Sequence, residues 1–255
     1  MEKQLGKPNV DIWSNLRKYT DARIALGRTG ASIPTEKHLE FQLAHARARD
    51  SVNSRIDFSE IKLELNRMNL SYIELETKAK DKSLYLKRPD LGKELSIEAN
   101  QSLSEKKEKS KLVIILGDGL SAKAIQKQSI PFLKEFLPSL DSSISVFPIV
   151  LVEGARVAVS DEIGQVIGAE IAMILIGERP GLSSPDSMGL YLTYNPKKER
   201  QDSDRNCISN IREEGLNHRA AAEKANYLLT GALSKKISGV MLKDDMSSFK
   251  FPIDK

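Results

Sequence analysis

Glu178 and Arg179 place a carboxylate beside a guanidinium in Gly177-Glu178-Arg179-Pro180-Gly181, directly after the unbroken apolar run 171–176. The run reads as a buried strand. Pro180 must end it, because proline fixes φ and removes a ladder donor. The pair is thereby left at a strand's carboxyl end, where open α/β sheets bind their ligands. A plainer reading is that the two side chains pair with each other or cap the turn, at small energetic value.

A second candidate is Gly117-Asp118-Gly119-Leu120-Ser121-Ala122, which fits the loose dinucleotide pattern G-x-G-x-x-A between a strand and a helix. That chemistry also needs an acid near the end of the next strand. The next strand region is 147–150, and the first acid beyond it is Glu153. A nicotinamide site is therefore the weaker reading, and a glycine turn needed only for packing stands at least level with a ligand site. The helix start could still offer N–H groups to a phosphate or an amide. Ser121 lacks the second glycine of G-x-S-x-G, and no histidine lies within 112–217 to act as its base.

Cys207 is the sole cysteine. It excludes an internal disulfide and a multi-cysteine metal site, and the scattered His38, His45 and His218 give no zinc spacing. The thiol reads either as a nucleophile or, more simply, as a buried structural group. Arg205-Asn206 and Ser209-Asn210 bring donors alongside it. His45, set among alanines, reads as a packing or hydrogen-bonding residue.

At 255 residues and 40% hydrophobic, the chain predicts one large domain with an appendage. No run approaches the roughly 20 apolar residues that cross a bilayer, and 1–9 is short and polar, so a soluble intracellular protein is expected. The net charge of +4 is the difference of 39 basic and 35 acidic residues, and aromatics are 5%. Nothing there asks for nucleic acid.

The first third reads as helical. Ile12, Leu16 and Tyr19 recur at helical spacing, the stretch 20–28 runs to stops at Gly27 and Gly30, and Thr35 opens a helix with the stripe Leu39, Leu43, Ala46 and Val52. Another helix is expected over 56–75, with Ile61, Leu65 and Met68 on one side. Residues 77–111 crowd lysines at both ends around Arg88-Pro89-Asp90-Leu91-Gly92, and read as a solvated connecting arm with a short helix near 96–103. From Leu112 the pattern alternates: strands at 112–116, 144–152, 171–176, 190–194 and 207–211, with helices near 121–137, 161–168 and 218–236. Alternation of this kind predicts an α/β fold, a mostly parallel sheet with helices on both faces. Three regions follow: an α-helical N-terminal region (1–76), the lysine-rich arm (77–111) and the sheet domain (112–255).

These residues resemble a known family. The stretch from Gly177 to Ser187 and Arg205-Asn206-Cys207-Ile208-Ser209-Asn210-Ile211-Arg212 are similar to the light (small) subunit of adenosylcobalamin-dependent ethanolamine ammonia-lyase. Ala22-Arg23-Ile24-Ala25-Leu26-Gly27-Arg28, Gln42-Leu43-Ala44-His45-Ala46, Tyr85-Leu86-Lys87-Arg88-Pro89-Asp90-Leu91-Gly92, Asp118-Gly119-Leu120-Ser121-Ala122 and Arg156-Val157-Ala158 follow in the family's order.

The resemblance implies a Rossmann-like domain that closes over adenosylcobalamin against a large subunit within a hetero-oligomer. The large subunit would hold the substrate, and ethanolamine would be converted to acetaldehyde and ammonia by radical chemistry that the cofactor supplies. Val157, Glu178 and Cys207 carry over as cofactor contacts, none of them catalytic. The D-x-H-x-x-G motif of base-off cobalamin proteins is missing, so the cofactor is expected to keep dimethylbenzimidazole on cobalt. The expected location is cytoplasmic, with a bacterial microcompartment as the alternative. Since the matching region starts near Asp11, the targeting extension is expected to be truncated and the tail after Met246 to run past the usual end. The competing readings are a free-standing Rossmann-type nucleotide-dependent oxidoreductase using Gly117 and Gly119, and a scaffold protein without cofactor.

Overall fold

The structure is a computed structural model and describes residues 11–106 and 108–246. The first ten residues and the tail after Met246 lie outside that range.

Seven α-helices and six strands alternate through the described chain. They are α1 (Thr35–Asn53), α2 (Ser59–Arg67), β1 (Tyr72–Glu76), α3 (Lys82–Lys87), α4 (Ile97–Glu105), β2 (Leu112–Gly117) and α5 (Ala122–Phe136), then β3 (Ile149–Glu153), α6 (Val159–Ile167), β4 (Ile171–Gly177), β5 (Met188–Tyr194), β6 (Arg205–Ile211) and α7 (His218–Lys235). The strands form one sheet in the order β1-β3-β2-β4-β5-β6. The pairings β1–β3, β3–β2 and β2–β4 are parallel, and β4–β5 and β5–β6 antiparallel. The result is the expected mixed α/β fold with a mostly parallel sheet.

Strands β2 and β4 are buried at every position, as strands covered on both faces must be. Leu112, Ile114 and Leu116 join α2, α5 and α7 in one apolar cluster, while Val113 and Ile115 join α4 and α6 in another. Strand β6 differs, because only its first, fourth and last residues are buried.

Three expectations fail in instructive ways. The helix expected over 56–75 stops at Arg67, because Asn69 turns left-handed at φ 55° and the Leu70 N–H closes onto the Leu65 carbonyl at 2.9 Å, an asparagine-type helix stop. Residues 72–76 are instead an edge strand. The stripe on α1 is reversed: Ala44, Ala48 and Ser51 are buried, while Leu39 and Leu43 are exposed. Small side chains let the helix lie close to the body and leave the leucines outside. Between Asp11 and Pro34 the only helix is a 3-10 turn at Ser14–Tyr19.

The arm 77–111 is not a solvated tether. Tyr85, Leu95 and Leu103 are buried, and Leu95 and Leu103 belong to the α4–α6 cluster. Among the described residues no helix is long and apolar enough to cross a membrane.

Candidate functional site

The end of β4 carries a carboxylate that the surrounding backbone has been shaped to hold. Glu178 Oε1 accepts from the Ser209 hydroxyl at 2.7 Å. Its Oε2 accepts from the Ser187 hydroxyl at 2.5 Å and from the Asn210 N–H at 3.2 Å. A carboxylate has about four lone-pair positions, so three donors leave room for about one more. Glu178 makes no ion pair among the described residues, and Arg179 is exposed, so the pairing considered from sequence is absent.

Each donor has a structural reason to be there. Leu190 pairs with Ile208 but Met188 with Ile211, so β6 carries an extra residue at this point. Asn210 takes up that bulge at φ 60°, a left-handed conformation that asparagine tolerates better than most residues. The bulge turns the Asn210 N–H toward the carboxylate. Gly189 lies beneath it: a Cβ there would sit 3.0 Å from Glu178 Oε1 and 3.2 Å from Cγ. Ser187 is fixed through its neighbour, since Gln128 donates to the Asp186 carbonyl at 3.2 Å and Lys127 pairs with the Asp186 carboxylate at 2.6 Å.

Cys207 lies on β6 opposite Tyr191 and is exposed, contrary to the buried-thiol reading. It shares a sheet face with Ser209, two residues on. Although the residue is exposed, protein packed about its sulfur lifts the thiol above its usual range. The Tyr191 hydroxyl opposes that lift and the Glu178 carboxylate adds to it. A thiol so placed is poorly ionised, which disfavours the nucleophile reading.

Val157 sits half-buried between β3 and α6 and packs against the same cluster as Tyr191. Its carbonyl accepts from the Ser160 hydroxyl at 2.8 Å. Its loop rests on the lysine-rich arm: Arg156 lies 4.2 Å over the Tyr85 ring, the Tyr85 hydroxyl donates to the Ala155 carbonyl at 3.0 Å, and the Arg156 N–H reaches the Gly92 carbonyl at 2.8 Å. A Cβ on Gly92 would meet the Gly154 carbonyl at 2.7 Å. Glycine is required by that close approach.

Asp118 ties these loops together. Its Oδ1 accepts from the Ala155 N–H at 2.9 Å, and its other oxygen lies 3.4 Å from Lys82 Nζ, which also donates to the Gly119 carbonyl at 2.9 Å. Burial raises the Asp118 carboxyl above its usual range, and Lys82 works against that shift. The glycine turn itself is closed to a phosphate. A Cβ on Gly119 would strike the Gly177 carbonyl at 2.3 Å, and the Leu120 N–H is already spent on that carbonyl at 2.9 Å. Ser121 is buried as the cap of α5, accepting from the Ala124 N–H at 3.2 Å. The turn serves packing, and a nucleotide oxidoreductase is not favoured.

The three sequence candidates therefore share one side of the sheet. Strands β5 and β6 pack against α7 on one face. Over the other, α6 reaches β6 through the buried pair of Asp161 with Arg205, Tyr191 is half-buried against the α4–α6 cluster, and Cys207 and Ser209 are exposed. Val157 precedes α6 by two residues, and Asp161 of that helix pairs with Arg205, two residues before Cys207 on β6. Sequence reading named Ser209 and Asn210 as donors beside Cys207 but did not join them to Glu178, and it gave no role to Ser187 or Gly189. The link depends on a bulge that composition does not announce. No group of His, Cys, Asp and Glu able to hold a metal occurs among the described residues.

A family model described as "Ethanolamine ammonia-lyase light chain (EutC)" matches residues 10–243. The chain belongs to that family. It is 48% identical over 249 residues to an ethanolamine ammonia-lyase small subunit of Pseudomonas fluorescens (strain Pf0-1), covering 94% of this chain and 91% of that one. The corresponding protein of Azotobacter vinelandii is 48% identical over 238 residues, 91% of this chain and 88% of the relative. That of Xanthomonas campestris pv. campestris (strain B100) is 46% identical over 244 residues, 93% and 89%. A light chain implies a larger partner, and the activity named for the family is that of a lyase.

Proposed function

We propose that this chain is the cobalamin-covering half of an ethanolamine ammonia-lyase, pressing adenosylcobalamin against a large subunit that holds the substrate. The parallel half of the sheet supports a Rossmann-like reading of that domain. The observation that carries the proposal is the Glu178 carboxylate at the end of β4, held by the Ser187 and Ser209 hydroxyls and the Asn210 N–H. The three candidates come from separate elements, the loop before α6, the end of β4 and strand β6, which suits a broad macrocycle with amide arms. The donor set fits as well: a fixed carboxylate on a flat, open sheet face accepts amide N–H groups, and Val157 and Cys207 add close apolar contact.

Glu178, held by Ser187, Ser209 and the Asn210 N–H, would anchor one amide arm and fix its orientation. Val157 would press on the cofactor from the loop before α6, and Cys207 would touch it from β6 beside Tyr191. The bound cofactor supplies the radical chemistry, so these residues bind, orient and exclude water without taking part in bond cleavage. Ethanolamine would then be deaminated to acetaldehyde and ammonia in the paired subunits. The expected setting is the cytoplasm or a bacterial microcompartment.

Mixing the full chain with its large partner and adenosylcobalamin tests this reading. Ammonia release from ethanolamine should require both chains, and the assembled pair should carry a corrinoid visible spectrum after gel filtration. Replacing Glu178→Gln should weaken corrinoid retention about tenfold, the worth of one charge-assisted hydrogen bond, with assembly unchanged. Unaltered retention in that variant would remove Glu178 from the site. Full activity of the large chain alone would overturn the proposal.

A further inference from the structure

The open sheet face is not the only unfinished surface. Eight of the fourteen exposed large apolar side chains among the described residues fall within 12–43, including Ile12, Trp13, Tyr19, Ile33, Leu39 and Leu43. Monomers scatter such groups singly, and their crowding marks a contact surface. Residues 11–34 have little of their own to hold them. Their hydrogen bonds are local, between Asp11 and Trp13, Asp11 and Ser14, Thr20 and Ala22, and Thr29 and Ser32, and Arg23 lies 6.0 Å over the Phe41 ring of α1.

We infer that residues 12–43 form an apolar docking surface for the large subunit, contributed by the arm and the outer face of α1. This rests on the reading of the chain as half of a two-subunit lyase. Three observations select the occupant. The family is a light chain, so a larger partner exists to be bound. The carboxyl end of α1 is fastened to the site: the Ser51 and Ser121 hydroxyls lie 2.8 Å apart, and both reach the Pro185 carbonyl, at 2.8 and 2.9 Å. Pro185 belongs to the loop that carries Glu178 and Ser187, so a body seated on α1 continues onto the open sheet face. The charges flanking the patch are mixed, Arg17 and Lys18 beside Asp21, Glu36 and Glu40. A lipid surface would select a cationic polar face.

The inner face of α1 explains why the leucines point outward. Ala44, Ala48 and Ser51 recur at helical spacing and are buried, so the helix is already seated on its own chain by its small residues. Leu39 and Leu43 lie on other sides of the helix, available only to another body.

The test uses the full chain carrying Leu39→Asp and Leu43→Asp together, and separately Trp13→Ser with Tyr19→Ser. Each is mixed with the large chain without corrinoid, and assembly is read by gel filtration. Both variants should fold with unchanged circular dichroism, since the altered side chains are exposed, and both should weaken assembly, the leucine pair by about 100-fold, as buried anchors of an interface do. Normal assembly of both variants would overturn the inference. So would a wild-type chain that self-associates through these residues while binding the large subunit equally well after their replacement; the surface would then belong to a second copy. Because corrinoid is left out, failure here leaves the Glu178 reading intact, and failure of the Glu178 test leaves this one intact.

Discussion

The open face of β5 and β6 and the outer face of α1 are both uncovered, but they are held in opposite ways. The sheet face is polar and braced from within: Glu178 has three donors, the loops beneath it share the Asp118–Lys82 pair, and α5 grips Asp186 from behind. The α1 face is apolar, and beyond its own helix the contact described for it is Arg23 over the Phe41 ring. The difference separates two kinds of incompleteness. A ligand with fixed polar arms needs acceptors already aimed, since reorientation on binding would cost affinity. A protein partner brings its own packing and can shape a loose apolar arm as it docks. On the proposed reading, one surface is prepared for a molecule and the other for a chain.

The largest effects should fall on the frame of the polar face. Replacing Asp118→Ala leaves Lys82 buried without its counter-charge and the Ala155 N–H without its acceptor, and breaking a buried pair costs about 3–5 kcal/mol. Urea unfolding of the isolated chain should show that loss. The same measurement on Leu39→Asp with Leu43→Asp should stay within about 0.5 kcal/mol of the parent, as exposed substitutions do. Equal losses from the two would erase the distinction between a braced surface and a free one.

Ser209→Ala sharpens the contrast at a smaller scale. It removes one of the donors to Glu178 without touching the loop or the arm. The carboxylate should remain but lose its fixed direction, weakening corrinoid retention by about 3–10-fold, or roughly 1 kcal/mol. Assembly with the large chain should be unaffected. A variant that loses assembly and keeps corrinoid would reverse the assignment of the two surfaces.

The sequence makes the carboxyl ends of the buried strands legible for a simple reason. Apolar runs such as 112–116 and 171–176 have few other homes, and Pro180 forces the turn that exposes Glu178. Edge elements were harder. Tyr72–Glu76 buries only Leu75 fully, so its pattern merges with the helix before it until Asn69 is seen to turn left-handed. The direction of β5 and β6 was hidden too, because a strand's residues do not say which way it runs. The polar cradle depends on a bulge that brings Ser209 and Asn210 to a carboxylate some thirty residues earlier, and no local pattern encodes that distance. On α1 the rule that large apolar groups face inward pointed the wrong way, since the helix uses alanines to reach its own body.

A last and smaller effect concerns acid. His218, at the start of α7, lies 2.8 Å from Gln128 Oε1, and Gln128 in turn donates to the Asp186 carbonyl behind the polar face. Burial lowers the His218 pKa below its usual 6.5, with Glu213 and Glu135 opposing and Lys127 reinforcing. The folded chain thus favours the neutral ring, while the unfolded chain takes up a proton near pH 6.5. Between the two values the unfolded state binds more protons, so stability rises with pH there. Its contribution is complete above about pH 6.5 and is lost as the pH falls through the folded value. Thermal unfolding at pH 7.5 and 5.5 should therefore show a smaller acid loss for His218→Gln than for the parent. Because the ring reaches the braced surface and not the arm, acid should loosen corrinoid retention in the parent before it loosens subunit assembly. An identical acid loss in parent and variant would detach His218 from that frame.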